Sequence, residues 1–145
     1  MALDDEQTLP QEMQLEVLAF VVRDKVVMSK FSGVLKERHF DSPIHRLIFR
    51  IAQAHFSEYK RVPLQRTLQN EIQRVLDTEK SYVPDTYFWA EVAKVYNFAL
   101  QEREYTVDRV ADFLTRQELI ELNRVIRTET SSPERASIEF VFREN

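Results

Sequence analysis

Three histidines, 24 carboxylates and 20 Lys or Arg side chains are the groups in this 145-residue sequence that could bind a metal, move a proton or grip a phosphate. His45 and His55 fall in one predicted helix, about 15 Å apart along its axis, so they cannot share a metal. His39 and His45 can approach each other across a turn at Ser42, but no cysteine exists to complete a site. All three imidazoles therefore read as structural or exposed. Glu71, Asp108, Asp112 and Glu118 scatter over helix surfaces as solvated or ion-paired groups, and no nucleophile, base and orienting residue form a set. Gly33 is the single glycine, which rules out a phosphate-cradling P-loop and a dinucleotide-binding fingerprint, since both need several. The expectation is a chain with no catalytic residue, no metal and no cofactor.

Charge narrows the partners. The net charge is −4, whereas a domain that holds DNA through its phosphates usually gathers Lys and Arg into a basic face. Lys60, Arg61, Arg66 and Arg74 are locally basic and read as a solvated helix face. The acidic opening, Met1-Ala2-Leu3-Asp4-Asp5-Glu6, lacks the basic start and apolar run of a signal peptide. No segment approaches the roughly twenty apolar residues of a membrane span. A soluble, cytoplasmic chain with no membrane partner is expected.

The elements that must position these residues are helical. So little glycine disfavours strands joined by tight turns, and the apolar spacing has a period near 3.6. A first helix begins near Pro10 and carries Met13, Val17, Leu18, Phe20 and Val21. Asp24 caps a shorter second one with Val26, Val27, Phe31, Val34 and Leu35, and Gly33 marks its bend or end. Ser42 as N-cap and Pro43 at the first helical position open a third, with Ile44, Leu47, Ile48, Ile51, Ala52, His55, Phe56 and Tyr59 on its face. A fourth shows Leu64, Leu68, Ile72, Val75 and Leu76. The polar stretch 77–84 reads as a loop and as the main internal division. Beyond it, Asp85 caps a helix bearing Tyr87 to Leu100, and the run Gln101 to Glu104 reverses the chain into a last helix over Tyr105 to Arg127, about 35 Å long. Residues 128–145 read as a linker-like tail, in which Ser131-Ser132-Pro133-Glu134 caps a short helix or Ile138, Phe140 and Phe142 alternate in an extended segment. The fold class is all-α: an N-terminal helical bundle over 9–76 followed by a C-terminal helical hairpin over 85–127, in a single domain.

That hairpin is unusually greasy. Phe88, Val92, Val95 and Ala99 share one side of its first helix, with Trp89, Ala93, Tyr96 and Leu100 on the adjoining side. A helix docking on one core needs a single stripe of about 100°. The excess either packs inside one monomer or meets another copy, and aromatic residues are enriched at such interfaces. Phe88, Trp89, Val92, Tyr96, Phe113 and Leu114 are the candidate self-association residues.

The run His39-Phe40-Asp41-Ser42-Pro43-Ile44-His45-Arg46-Leu47-Ile48-Phe49 resembles a signature of the N-terminal domain of DnaB-type replicative DNA helicases. Pro10 to Leu18 is similar to that family's opening helix, Asp24 and its apolar run to the second, and Val62-Pro63-Leu64 with Thr67-Leu68 to the connector into the fourth. The resemblance covers about residues 9–76. Beyond it, the segment Asp108 to Leu119 looks more like divergent, phage-type members. The motif is structural in its chemistry: Ser42 and Pro43 start a helix, Phe40 packs back on its first turn, and Ile48 and Phe49 enter the core. Arg46 either satisfies a neighbouring helix's terminal carbonyls or faces a partner.

The resemblance implies a non-catalytic assembly and docking domain. In the family, such domains pair through their helical hairpins into a collar, commonly a trimer of dimers, above a hexameric RecA-like ATPase motor lying outside the stretch read here. Primase docks on the collar, and single-stranded DNA contacts would be weak or indirect. The sequence is then either an excised domain or a short stand-alone relative, in a bacterial or phage-infected cell. The alternative is a stand-alone replication adaptor or loader-like protein that binds the helicase or single-stranded DNA.

Overall fold

A computed structural model describes residues 8–79 and 85–130. Among these, the chain forms six α-helices and no strand: α1 (Gln11–Arg23), α2 (Lys25–Phe31), α3 (Pro43–Tyr59), α4 (Gln65–Glu79), α5 (Asp85–Asn97) and α6 (Arg103–Thr130), with one 3-10 turn at Glu37–His39. The fold is all-α. The chain divides into two compact units, one through Val110 and one from Ala111.

α1 is the centre of the first unit because it is apolar nearly all round. Met13, Val17, Leu18, Ala19, Phe20, Val21 and Val22 are all buried, and a helix without a polar face must be enclosed by others. α2, α3 and α5 pack on it, and α4 packs on α3 and α5. Each outer helix contributes one stripe: Ile48, Phe49 and Ala52 from α3, Leu68, Ile72 and Leu76 from α4, and Phe88, Val92 and Val95 from α5. At roughly 1.5–3 kcal/mol for a fully buried large apolar side chain, each stripe suffices to dock a helix that is marginal alone.

The start signals work as their residue types require. Asp24 Oδ1 accepts from the backbone N–H of Val26 and Val27 and caps α2. Ser42 Oγ accepts from Ile44 and His45 at 3.2 and 3.3 Å, with Pro43 at the first helical position. Phe40 is fully enclosed, its ring 5.5 Å from that of Phe49. Gly33 lies in the turn after α2 but not in the left-handed region, so it marks the helix end without the conformational need that usually places glycine there.

Three expectations change. Leu64 is exposed and precedes α4 rather than lying on its buried stripe. α4 runs to Glu79, past the loop start expected at Asp77. Its last turn is closed by Gln73 Nε2 donating to Asp77 Oδ1 and by Thr78 Oγ1 donating to the Arg74 carbonyl. Most consequentially, α5 belongs with α1, α3 and α4, and the compact units divide after Val110 rather than within 77–84. Phe88, Val92 and Val95 are the reason: that stripe is part of the first unit's core. The alternatives left open for residues 131–145 lie outside the described residues, as does the core of the 77–84 loop.

Candidate functional site

The polar groups of the first unit are mostly committed to holding it together. Arg23, the last residue of α1, donates to the carbonyls of Val95 and Phe98 at 3.0 and 2.7 Å, satisfying the C-terminal end of α5. Arg46 Nε donates to the Phe40 carbonyl at 2.7 Å. Phe40 is the C-terminal cap of the Glu37–His39 3-10 turn, so the guanidinium satisfies a terminal carbonyl of a neighbouring helical turn, the first of the two uses expected of it. Gln14, buried in α1, accepts from the Asp41 N–H at 3.0 Å and donates to the Leu9 carbonyl at 2.7 Å, while Gln11 donates to Asp41.

The histidines are similarly absorbed. His39 is buried, with Nδ1 accepting from the Lys36 N–H at 2.9 Å. Burial, reinforced by the positive charges of Arg38 and Lys36, pushes its pKa down to about 4. His45 Nε2 lies 2.8 Å from Glu91 Oε1, joining α3 to α5. Partial burial would raise the Glu91 carboxyl, but hydrogen bonds from Lys94 and His45 outweigh it and hold its pKa low. Tyr96 donates its hydroxyl to the Pro63 carbonyl at 2.8 Å, and burial pushes its pKa up. Among the described residues, no three His, Cys, Asp or Glu side chains are grouped to hold a metal ion. No described helix is long and apolar enough to cross a membrane.

The six residues expected to mediate self-association separate into two classes. Phe88, Val92 and Phe113 are each 4% exposed or less. They are core side chains that a partner docking on the folded chain would not reach. Trp89, Tyr96 and Leu114 are half-buried. Trp89 borders a shallow groove with Gln69, Asn70 and Gln73 of α4, and Tyr96 is already bonded to Pro63. These three keep some accessible surface.

Four large apolar side chains stand exposed further along α6. Leu119, Leu122, Val125 and Ile126 are between 36% and 55% exposed. At 100° per residue they occupy an arc of about 120° on the helix, with Leu119, Leu122 and Ile126 within about 60° of one another. By the same projection, Glu118 stands at the Val125 edge, and Arg116 and Arg127 stand at the Leu119 edge. The stripe is thus bordered by an acidic edge and a basic one. Its residues were visible in the sequence as helix-face positions, but spacing does not distinguish a covered face from an open one. No known protein family, characterised protein or solved structure matches this chain.

Proposed function

We propose that this chain is a non-catalytic assembly and docking module of the replicative-helicase N-terminal kind, which self-associates and presents the assembled surface to a primase. The observation that carries the self-association is the exposed stripe Leu119, Leu122, Val125 and Ile126 on α6. Large apolar patches on soluble chains mark interaction sites, and a second copy is the occupant its borders favour. When two such helices lie side by side about a two-fold axis along their length, the Glu118 edge of each meets the Arg116 and Arg127 edge of the other. The primase and the helicase context rest on the resemblance of residues 9–76 to the helicase N-terminal domain.

Charge at the middle of the stripe tests the reading. Covering the remaining half of a leucine is worth about 1 kcal/mol, so Leu122→Glu removes about 2 kcal/mol from a dimer and adds two like charges. The dimer dissociation constant should rise at least about 30-fold. Light scattering across a concentration series should show wild-type chain associating and the variant monomeric with an unchanged circular dichroism spectrum. A wild-type chain that stays monomeric at millimolar concentration, or a variant that associates equally well, would refute self-association. A pull-down of primase by the assembled chain tests the second half separately.

A further inference from the structure

Gly33, the chain's single glycine, answers neither of the two needs that usually place glycine inside a fold. Its φ is not in the left-handed region, and a side chain there would meet nothing within 4 Å of its Cβ. A third use of glycine is to let another molecule's surface come close to the backbone. Gly33 is exposed and open for that use.

Its surroundings are both apolar and cationic. The turn that holds Gly33 continues the course of α2, because the Val34 and Leu35 N–H groups both donate to the Phe31 carbonyl, at 3.1 and 2.9 Å. Val26, Lys30 and Val34, four residues apart, therefore succeed one another along one face. Val26 is 56% exposed and Val34 49%, whereas Phe31 and Leu35 turn inward. Lys36 folds back to donate its Nζ to the Gly33 carbonyl at 3.0 Å, which sets its charge beside the glycine.

Residues 25–38 hold four basic side chains (Lys25, Lys30, Lys36, Arg38) against one acidic (Glu37), a net +3 in a chain whose total is −4. All four cations are exposed, and none is in an ion pair among the described residues. Asp24, just before them, is taken up by Arg103 at 2.8 Å. Gln53 of α3, which donates to the Ser32 carbonyl, brings no charge to the turn.

We infer that the α2 face around Gly33 docks an acidic amphipathic helix of a partner protein. Its aliphatic side chains would lie on Val26 and Val34 across the open glycine, and its carboxylates would meet Lys30, Lys36 and Arg38. Unpaired cations favour an anionic partner, and two open valines favour one that is also apolar. A nucleic-acid backbone would leave the valines uncovered, and no aromatic ring is exposed on residues 25–38 to stack a base. A helix that lies in a membrane surface buries Trp, Phe or Leu, where this face offers two valines. The inference rests neither on the α6 stripe nor on the helicase reading.

Fluorescence anisotropy with a labelled helical peptide of glutamate, alanine and leucine, its leucines on one face, tests the assignment. Binding should be saturable and weaken with salt. Gly33→Gln fills the space the partner occupies and should weaken binding about 10-fold or more, a loss of at least one tenfold step in affinity. The same substitution should leave Tm unchanged or raise it, because the backbone suits a side chain and the space is open. Loss of binding without loss of stability is a result that misfolding cannot mimic. Val26→Ser should cost about 5-fold, the value of covering half a valine, and Lys30→Glu combined with Lys36→Glu should flatten the salt dependence. Equal binding by the Gly33→Gln chain, by a peptide with alanine for leucine, or by one with lysine for glutamate would overturn the inference. No saturable binding at low salt would do the same, as would preference for phosphatidylserine vesicles or a single-stranded oligonucleotide over the peptide. So would weaker self-association of the Gly33→Gln chain in light scattering, which would make this face a contact between copies.

Discussion

His39 gives the fold a built-in acid sensitivity whose size can be worked out. Its imidazole is buried, its Nδ1 accepts from the Lys36 N–H, and its carbonyl accepts from the Leu9 N–H at 2.8 Å. In the folded chain its pKa is lowered from 6.5 to about 4, first by burial and then by the charges of Arg38 and Lys36. The unfolded chain therefore takes up a proton near pH 6.5 while the folded chain refuses it until about pH 4. Stability present above pH 6.5 is lost as pH falls through that window. At 1.36 kcal/mol per pH unit the complete shift is worth about 3 kcal/mol, but Arg38 and Lys36 are solvent-exposed and salt screens their share. A loss of about 2 kcal/mol between pH 7 and pH 4.5 is expected. The perturbation that isolates it is His39→Asn, which keeps an acceptor near the Lys36 N–H and cannot titrate. Urea unfolding at the two pH values should show wild type losing about 2 kcal/mol more than the variant, the other titratable groups cancelling in the comparison. Parallel losses within about 0.5 kcal/mol would refute the assignment of a buried neutral imidazole.

Two other substitutions report on how the helices are held. Ser42→Ala removes the cap on α3 and should lower unfolding free energy by about 1 kcal/mol in urea titration, with no change in m-value. Arg23→Met leaves the Val95 and Phe98 carbonyls without their donor and should cost about 2 kcal/mol, and hydrogen exchange should show the C-terminal turn of α5 opening more readily than the rest of the helix.

Much of this architecture is legible in the sequence because its signals are local. Asp24 and Ser42 each act on backbone groups two or three residues away and Pro43 on its own backbone at the first helical position, so residue type and position settle the outcome. The period of Leu68, Ile72 and Leu76 likewise specifies a one-sided helix before any partner is known. What escapes is everything that depends on which surfaces meet. Arg23 looks like any exposed arginine at a helix end, and only the fold brings it to the carbonyls of residues more than seventy positions later. Phe88, Val92 and Phe113 were plausible as contacts because large apolar side chains serve cores and interfaces alike, and burial separates the two uses. Leu119, Leu122, Val125 and Ile126 belong to the same long apolar pattern but remain open.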